Sequence, residues 1–203
     1  LTDLAWRDFG ASMWTRVLAL FALSSAALAD PPSLEAKVEE PVLEELMGGC
    51  SLKCAFDWTG AVSLPGLTKR ESVRVLDDDT ALTAWSASDA KVGAGVKFHL
   101  LFPKKLPKGM SGTTPIYGFD LINGCWKTEE LWEAHARVKR ARLYYNDQPL
   151  RDLTYADTRR WQRVELPDIM VRDGDSMTFE ILEVYPGKSA GLAITEIVLQ
   201  GAH

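Results

Sequence analysis

"INGCWKTEELWEAHARVKRARLYYN", residues Ile122 to Asn146, fits two incompatible structures. Leu131, Ala134, Val138, Ala141 and Tyr145 recur at spacings of three and four, which makes one apolar face of an α-helix. Ala141, Leu143 and Tyr145 also alternate with Arg140, Arg142 and Tyr144, which makes one face of a strand. An unbroken helix would carry His135 between Glu133 and Arg137 and invite a catalytic or metal-binding reading. A short helix opening into a strand points instead to a β-sandwich that binds something.

The neighbouring segments decide between them. Val96, Phe98, Leu100 and Phe102 alternate with other residues, as do Tyr117, Phe119 and Leu121, and again Gln162, Val164 and Leu166. Met177, Phe179 and Ile181 alternate, after which Leu182 and Val184 take over, a change of phase that suggests a bulge. "LAITEIVLQG" reads as a last apolar strand. Asn123-Gly124, Asn146-Asp147, Asp173-Gly174 and Pro186-Gly187 supply the turns between them. In that company the opening stretch divides. Thr128 caps a helical turn over Glu129–Ala134, and Arg137 to Tyr145 runs extended. The expected class is all-β: an antiparallel sandwich with one or two short helical turns.

Composition narrows the function. The 203 residues hold 28 acidic and 23 basic side chains, a net charge of −5. Nucleic acid would call for clustered Lys and Arg in excess, so it is not the expected partner. "MWTRVLALFALSSAALADPP" places Arg16 before an apolar run from Val17 and ends in Ala27-Leu28-Ala29, the small-residue pattern cut by signal peptidase. The run, about 13 residues, falls short of the ~20 that span a bilayer, so the chain is not read as an integral membrane protein. Met13 is the better start, which makes residues 1–12 an extension. Residues 1–29 are therefore read as extension plus signal peptide with cleavage after Ala29, and the protein as secreted or periplasmic. Residues 30–47, rich in Glu and Pro, read as a mobile acidic linker, and residues 48–203 as one folded domain. In an oxidising compartment Cys50 and Cys54 become a plausible local disulfide, with Cys125 left free and buried.

Five ordered blocks of the sequence carry a resemblance. "INGCWKTEELWEAHARVKRARLYYN" resembles the I-N-G-Y-x-K…L-W…N-x-R-V-K pattern of the NADase-type glycan-binding domain. That domain is a relative of the discoidin (F5/8 type C) and galactose-binding-like modules. "NDQPLRDLTYADTRRWQRVELP" is similar to its N-x-x-P…L…D…Q-x-x-x-L segment, and "FEILEVYPGKSAGLAITEIVLQG" to its closing strand. "GGCSLKCAF" and "LDDDTALTAW" followed by "VGAGVKF" resemble its two opening blocks. Cys125 stands where the family has an aromatic, His135 falls near its usual Asn, and "SAGLA" lacks the Asp and Thr of the last block. These departures bear on an inherited ligand more than on the fold. The resemblance implies an eight-stranded jelly-roll sandwich used for recognition.

It also implies where to look. In galactose-binding-like modules the loop matching Asp77, Asp78, Asp79 and Thr83 often holds a structural Ca²⁺ together with a last-strand Glu, which corresponds to Glu196. Calcium takes ~6–8 hard oxygens, which carboxylates and loop carbonyls provide. The plainer alternative is a cluster of Asx turns facing water. Trp126, Lys127, Trp132 and Arg137 lie in the best-matched block. A sugar site uses an indole face for stacking and cations for hydroxyls. Against that, Trp132 packing under the loop and Arg137 tying down a carbonyl is the favoured reading for those two, which leaves Trp126 as the better stacking residue.

No G-x-S-x-G, H-E-x-x-H or Gly-rich phosphate loop occurs, and the Glu133–His135 pair lacks an orienting third group; a hydrolase working through Asp78, Asp79 and His135 is the third option. The expectation is a non-catalytic exported module that binds a glycan of a cell surface or envelope through loops at one end of the sandwich. A protein-interaction or structural envelope module is the alternative.

Overall fold

The computed structural model describes residues 29–39, 61–63, 71–72, 74–78, 80–87, 89, 91–102 and 113–201. The chain divides into two compact units, Leu1–Asp30 and Pro31–His203, and the strands all lie in the second. The signal-peptide segment up to residue 28 and the Cys50–Cys54 pair lie outside the described residues.

Twelve strands are present among the described residues. In chain order they are β1 (Ser33–Glu35), β2 (Lys37–Val38), β3 (Ala61–Ser63), β4 (Glu71–Ser72), β5 (Trp85–Ser86), β6 (Lys97–Leu101) and β7 (Thr113–Asn123). They continue with β8 (Arg137–Tyr145), β9 (Gln148–Thr154), β10 (Trp161–Arg172), β11 (Ser176–Tyr185) and β12 (Ala193–Gly201). One sheet has the order β1-β9-β8-β11-β6-β3-β4, the other β2-β10-β7-β12-β5. The extra strands beyond the eight that the resemblance implies are short edge pieces, most of two or three residues.

Helix α1 spans Glu129–Ala134 and stops there. Its N-cap is Thr128, whose hydroxyl accepts from the Leu131 N–H at 3.2 Å. His135 already has extended backbone, and Arg137 begins β8. The helical spacing of Val138, Ala141 and Tyr145 is therefore coincidental, because β8 pairs with β9 and β11 along its length.

The sheets bury their facing residues. Phe119 of β7 stacks on Phe179 of β11 with ring centroids 4.8 Å apart, Trp85 meets Phe98 edge-on at 5.0 Å, and Tyr155 meets Phe179 edge-on. Along β6, Phe98 and Leu100 are fully buried between the half-buried Lys97 and His99, the signature of a strand with one face inward. β11 shifts register against β8 on both sides of Glu183, the bulge that its change of phase announces. Asn146 and Asp147 both have positive φ, 47° and 63°, as a two-residue hairpin between β8 and β9 requires. Cys125 is a buried free thiol. Among the described residues no helix is long and apolar enough to cross a membrane.

The stretch read as a linker behaves differently. Ser33–Glu35 pairs in parallel with β9, and Lys37–Val38 pairs antiparallel with β10. Residues 31–39 thus form a strap that crosses from one sheet to the other at Ala36, whose N–H donates to the Thr154 carbonyl at 2.9 Å. Acidic, Pro-rich composition measures how little apolar surface a segment can bury. It does not register backbone hydrogen bonds offered by two open sheet edges.

The outward face of the larger sheet is a ladder of ion pairs. Asp152, with its side chain 9 % exposed, accepts from Arg142 through Nε at 2.6 Å and Nη2 at 2.9 Å. Those hydrogen bonds hold its carboxyl below the ordinary carboxylate range. A depressed folded pKa means stability that is complete above the unfolded value of ~3.9 and lost as pH falls through the folded one. Urea unfolding across a pH series checks this: Asp152→Asn is expected to lower the neutral plateau by roughly 1.5–3 kcal/mol and to flatten the acid limb.

Candidate functional site

Antiparallel pairing gathers three connections at one end of the sandwich. β7 ends at Asn123, β8 begins at Arg137, β9 ends at Thr154, β10 begins at Trp161, β11 ends at Tyr185 and β12 begins at Ala193. Residues 124–136, 155–160 and 186–192 therefore share that end.

Asn123 organises it. Its side chain is buried and grips Val138 twice: Oδ1 accepts from the Val138 N–H at 2.8 Å, and Nδ2 donates to the Val138 carbonyl at 2.7 Å. Its own carbonyl accepts from the indole N–H of both Trp126 and Trp132, each at 3.1 Å. Gly124 follows with φ of +81°. A Cβ there would lie 2.6 Å from Trp132 Cδ1, so the turn excludes any side chain. The Thr195 hydroxyl donates to the Gly124 carbonyl at 2.8 Å and accepts from the Trp126 N–H at 3.0 Å, which fixes the loop to β12.

Arg137 is the second anchor. It is 7 % exposed, and its guanidinium lies 4.4 Å from the Trp132 ring centre. Nε and Nη2 grip the Asp157 carboxylate at 2.7 and 3.0 Å. Nη1 donates to the carbonyls of His135 at 2.7 Å and Trp132 at 3.3 Å, and Nη2 also to that of Pro186 at 3.5 Å. One side chain thus ties all three connections. Gly187 permits the close approach of the third, since a Cβ would come within 2.3 Å of the Ala134 carbonyl oxygen.

The four residues singled out for a ligand therefore separate. Trp132 and Arg137 have their polar groups committed internally. Lys127 is exposed. Trp126 is half-buried: it packs against Ile122, Trp161 and Val198, while the Arg159 guanidinium stands 5.8 Å from its ring centre and donates to its carbonyl at 2.6 Å. Asn123, Thr195, Asp157 and Arg159 went unnoticed in the sequence. Asn123-Gly124 was legible as a turn, but an Asn holding a neighbouring strand looks no different from one that merely turns.

At the second candidate locus, Asp78 and Glu196 converge on one donor. The Thr80 N–H points to Glu196 Oε1 at 3.1 Å and Asp78 Oδ1 at 3.3 Å, and the Thr83 hydroxyl donates to Asp78 Oδ2 at 2.6 Å. Glu196 is 3 % exposed, whereas Asp78 is exposed. Asp79 lies outside the described residues. The Asp78–Thr80 bond is an Asx turn, so the plainer alternative is present, with Glu196 drawn onto it. Among the described residues no group of three or more His, Cys, Asp and Glu side chains is arranged to hold a metal. His135 uses Nδ1 on the Leu131 carbonyl at 2.7 Å, closing the end of α1.

The profile of the NAD glycohydrolase translocation F5/8 type C domain matches residues 67–200. The chain belongs to this family. No curated protein matches the sequence. Two solved structures from Clostridium perfringens share the two-sheet fold of this F5/8 type C domain. One holds the CBM32-1, CBM32-2 and M60 catalytic domains of ZmpB, with 7 % identity over 84 % of this chain and a TM-score of 0.52; this chain spans 16 % of its length. The other is CBM32-3 from a family 31 glycoside hydrolase, with 13 % identity over 76 % of this chain and 99 % of that one, and a TM-score of 0.50. At such identities the likeness shows the fold alone. The strap at residues 31–39 lies outside the family match.

Arg137→Lys tests whether the loop end hangs on the guanidinium fork. Lysine lacks the planar fork and has fewer donors. The expected loss is about 2–3 kcal/mol in denaturant unfolding, below the ~3–5 of a fully buried pair because Asp157 remains 37 % exposed.

Proposed function

We propose that this domain is an exported, non-catalytic module that binds a cell-surface or envelope glycan at the loop end of the sandwich. One observation carries the reading. Trp126 is held in place through its indole N–H and its backbone, yet is only half-buried and stands beside the exposed Lys127. A sugar site needs an aromatic surface fixed in advance, because ordering it on binding would consume the weak stacking energy. The F5/8 type C family and the sandwich fold suit that use.

Trp126 and Lys127 take the ligand in this reading, with Arg159 at the rim. Trp132 and Arg137 hold the loop. A glycan array followed by titration of the best hit tests it. Trp126→Ala is expected to weaken the sugar by at least ~1 kcal/mol. An array without hits, together with a protein recovered specifically from envelope extract, would favour the protein-interaction alternative.

We further propose that Asp78, Thr83 and Glu196 belong to a structural calcium site. Two carboxylates turned toward the same N–H are a hard-oxygen set whose mutual repulsion a cation would relieve. Bound calcium would brace this loop against β12. A ligand held by the native state alone must raise stability, so the melting temperature is expected to rise with Ca²⁺ and fall back with EDTA. An unchanged melt removes calcium from the account.

A further inference from the structure

Away from the loops, the outward face of the five-stranded sheet has a hollow. Phe119 and Leu121 of β7 point into the core, so Gly118 and Asp120 face outward. Gly118 pairs with Glu165 on β10 and Gln200 on β12, and Asp120 pairs with Arg163 and Val198. The glycine thus leaves a gap in the middle of a three-strand row. Both neighbouring strands shift register just beyond it. A cavity of about 490 Å³ results, lined by Tyr117, Gly118, Arg163, Glu165, Leu166 and Gln200.

Two of its lining residues, Arg163 and Gln200, are held by a buried carboxylate. Asp120 is 0 % exposed. It accepts from Arg163 Nε and Nη2, both at 2.9 Å, and from Gln200 Nε2 at 2.8 Å. An outward strand position ordinarily leaves a carboxylate in water, and an exposed ion pair there adds little to stability. Here three donors instead fix Arg163 and Gln200 in one orientation. That orientation turns Gln200 Oε1 away from the carboxylate and leaves Arg163 Nη1 outside the bidentate grip. At the rim, Glu165 is bridged to Lys37 of the strap at 2.6 Å. Tyr117, 45 % exposed, is fixed through its hydroxyl to the Gly201 carbonyl at 3.0 Å.

We propose that this hollow is a second binding site, for one ring of a neutral carbohydrate. Charge and hydrogen-bonding capacity decide the class. Arg163 and Lys37 face Asp120, Glu165 and Glu39, so an anion gains nothing from the field, and the two carboxylates nearest the hollow, Asp120 and Glu165, are each already paired with a cation. The lining offers donors and acceptors together, as vicinal hydroxyls require, with one aromatic ring at the edge and pre-ordered polar groups beneath. The volume falls within the range of small-molecule sites. This site does not depend on the loop-end reading, since Trp126 takes no part in it.

The test is ¹⁵N-HSQC titration of the whole chain with methyl α-galactoside, methyl α-glucoside, N-acetylgalactosamine, lactose and cellobiose. At least one sugar is expected to shift the Gly118 amide and the Gln200 side-chain amide saturably. Tyr117→Ala and Gly118→Val should each weaken that response at least tenfold, while Trp126→Ala leaves it intact. At Gly118 the added Cβ would lie 3.1 Å from Gln200 Cβ, so the larger side chain fills the hollow by pressing Gln200 aside by a few tenths of an ångström. Tyr117→Ala alters an exposed rim and serves as the folding-neutral check. The proposal is overturned if no sugar of the panel moves Gly118 or Gln200, or if both variants bind as the unmodified chain does. Shifts confined to residues 124–136 and abolished by Trp126→Ala would remove the sheet-face site and leave the loop-end reading standing. The reverse pattern would do the opposite.

Discussion

The loop end of this domain exists because one buried guanidinium finds a partner for every N–H it carries. Arg137 sits at the first position of β8, where a charged side chain at 7 % exposure would ordinarily be costly. A carboxylate and three carbonyls, contributed by three separate connections, offset that cost, and the Trp132 ring covers its face. The arrangement converts three loops into one solid. Asn123 performs the same service from the other side, holding β8 with its side chain and two indoles with its backbone. In the proposed reading, recognition falls to the groups that this framework leaves at its edge.

Much of this was legible in the sequence, and the reasons differ by residue. The division of Ile122 to Asn146 into helix and strand followed from its neighbours, because a segment surrounded by strands has edges to pair with whatever its own periodicity suggests. The capping Thr128 and the bulge in β11 were local signals and lay open to reading. The strap was not. Its strands are three and two residues long, and their stability comes from the edges of β9 and β10. Those edges are remote in sequence, so no property of residues 31–39 announces them.

The outward face of the five-stranded sheet is hidden from the sequence for a related reason. Alternation in "IYGFDLING" sets Tyr117, Phe119 and Leu121 on one face, but only Phe119 and Leu121 are core, since both neighbouring strands shift register beside Tyr117 and leave it 45 % exposed. Yet Asp120 and Ile122 are as deeply buried as the core positions, the first within its ring of donors and the second in a small cluster with Trp161 and Val198. Period-two reasoning assumes that a sheet has one dry side. Here the outward side is itself buried at Asp120 and along Ile122, Trp161 and Val198, while Tyr117, Arg163 and Glu165 keep their contact with solvent. Only contacts between side chains on different strands reveal it.

The strap also sets an order of events. Lys37 reaches Glu165 across 128 positions of chain, so the earliest described strands dock onto edges supplied by segments synthesised much later. Contacts so distant in sequence carry the full entropic penalty of closing the intervening loop. The nine residues from Pro31 to Glu39 must therefore stay uncommitted until β9 and β10 are in place, and then seal both layers at once. The clasp that joins the two sheets is laid down first and fastened last.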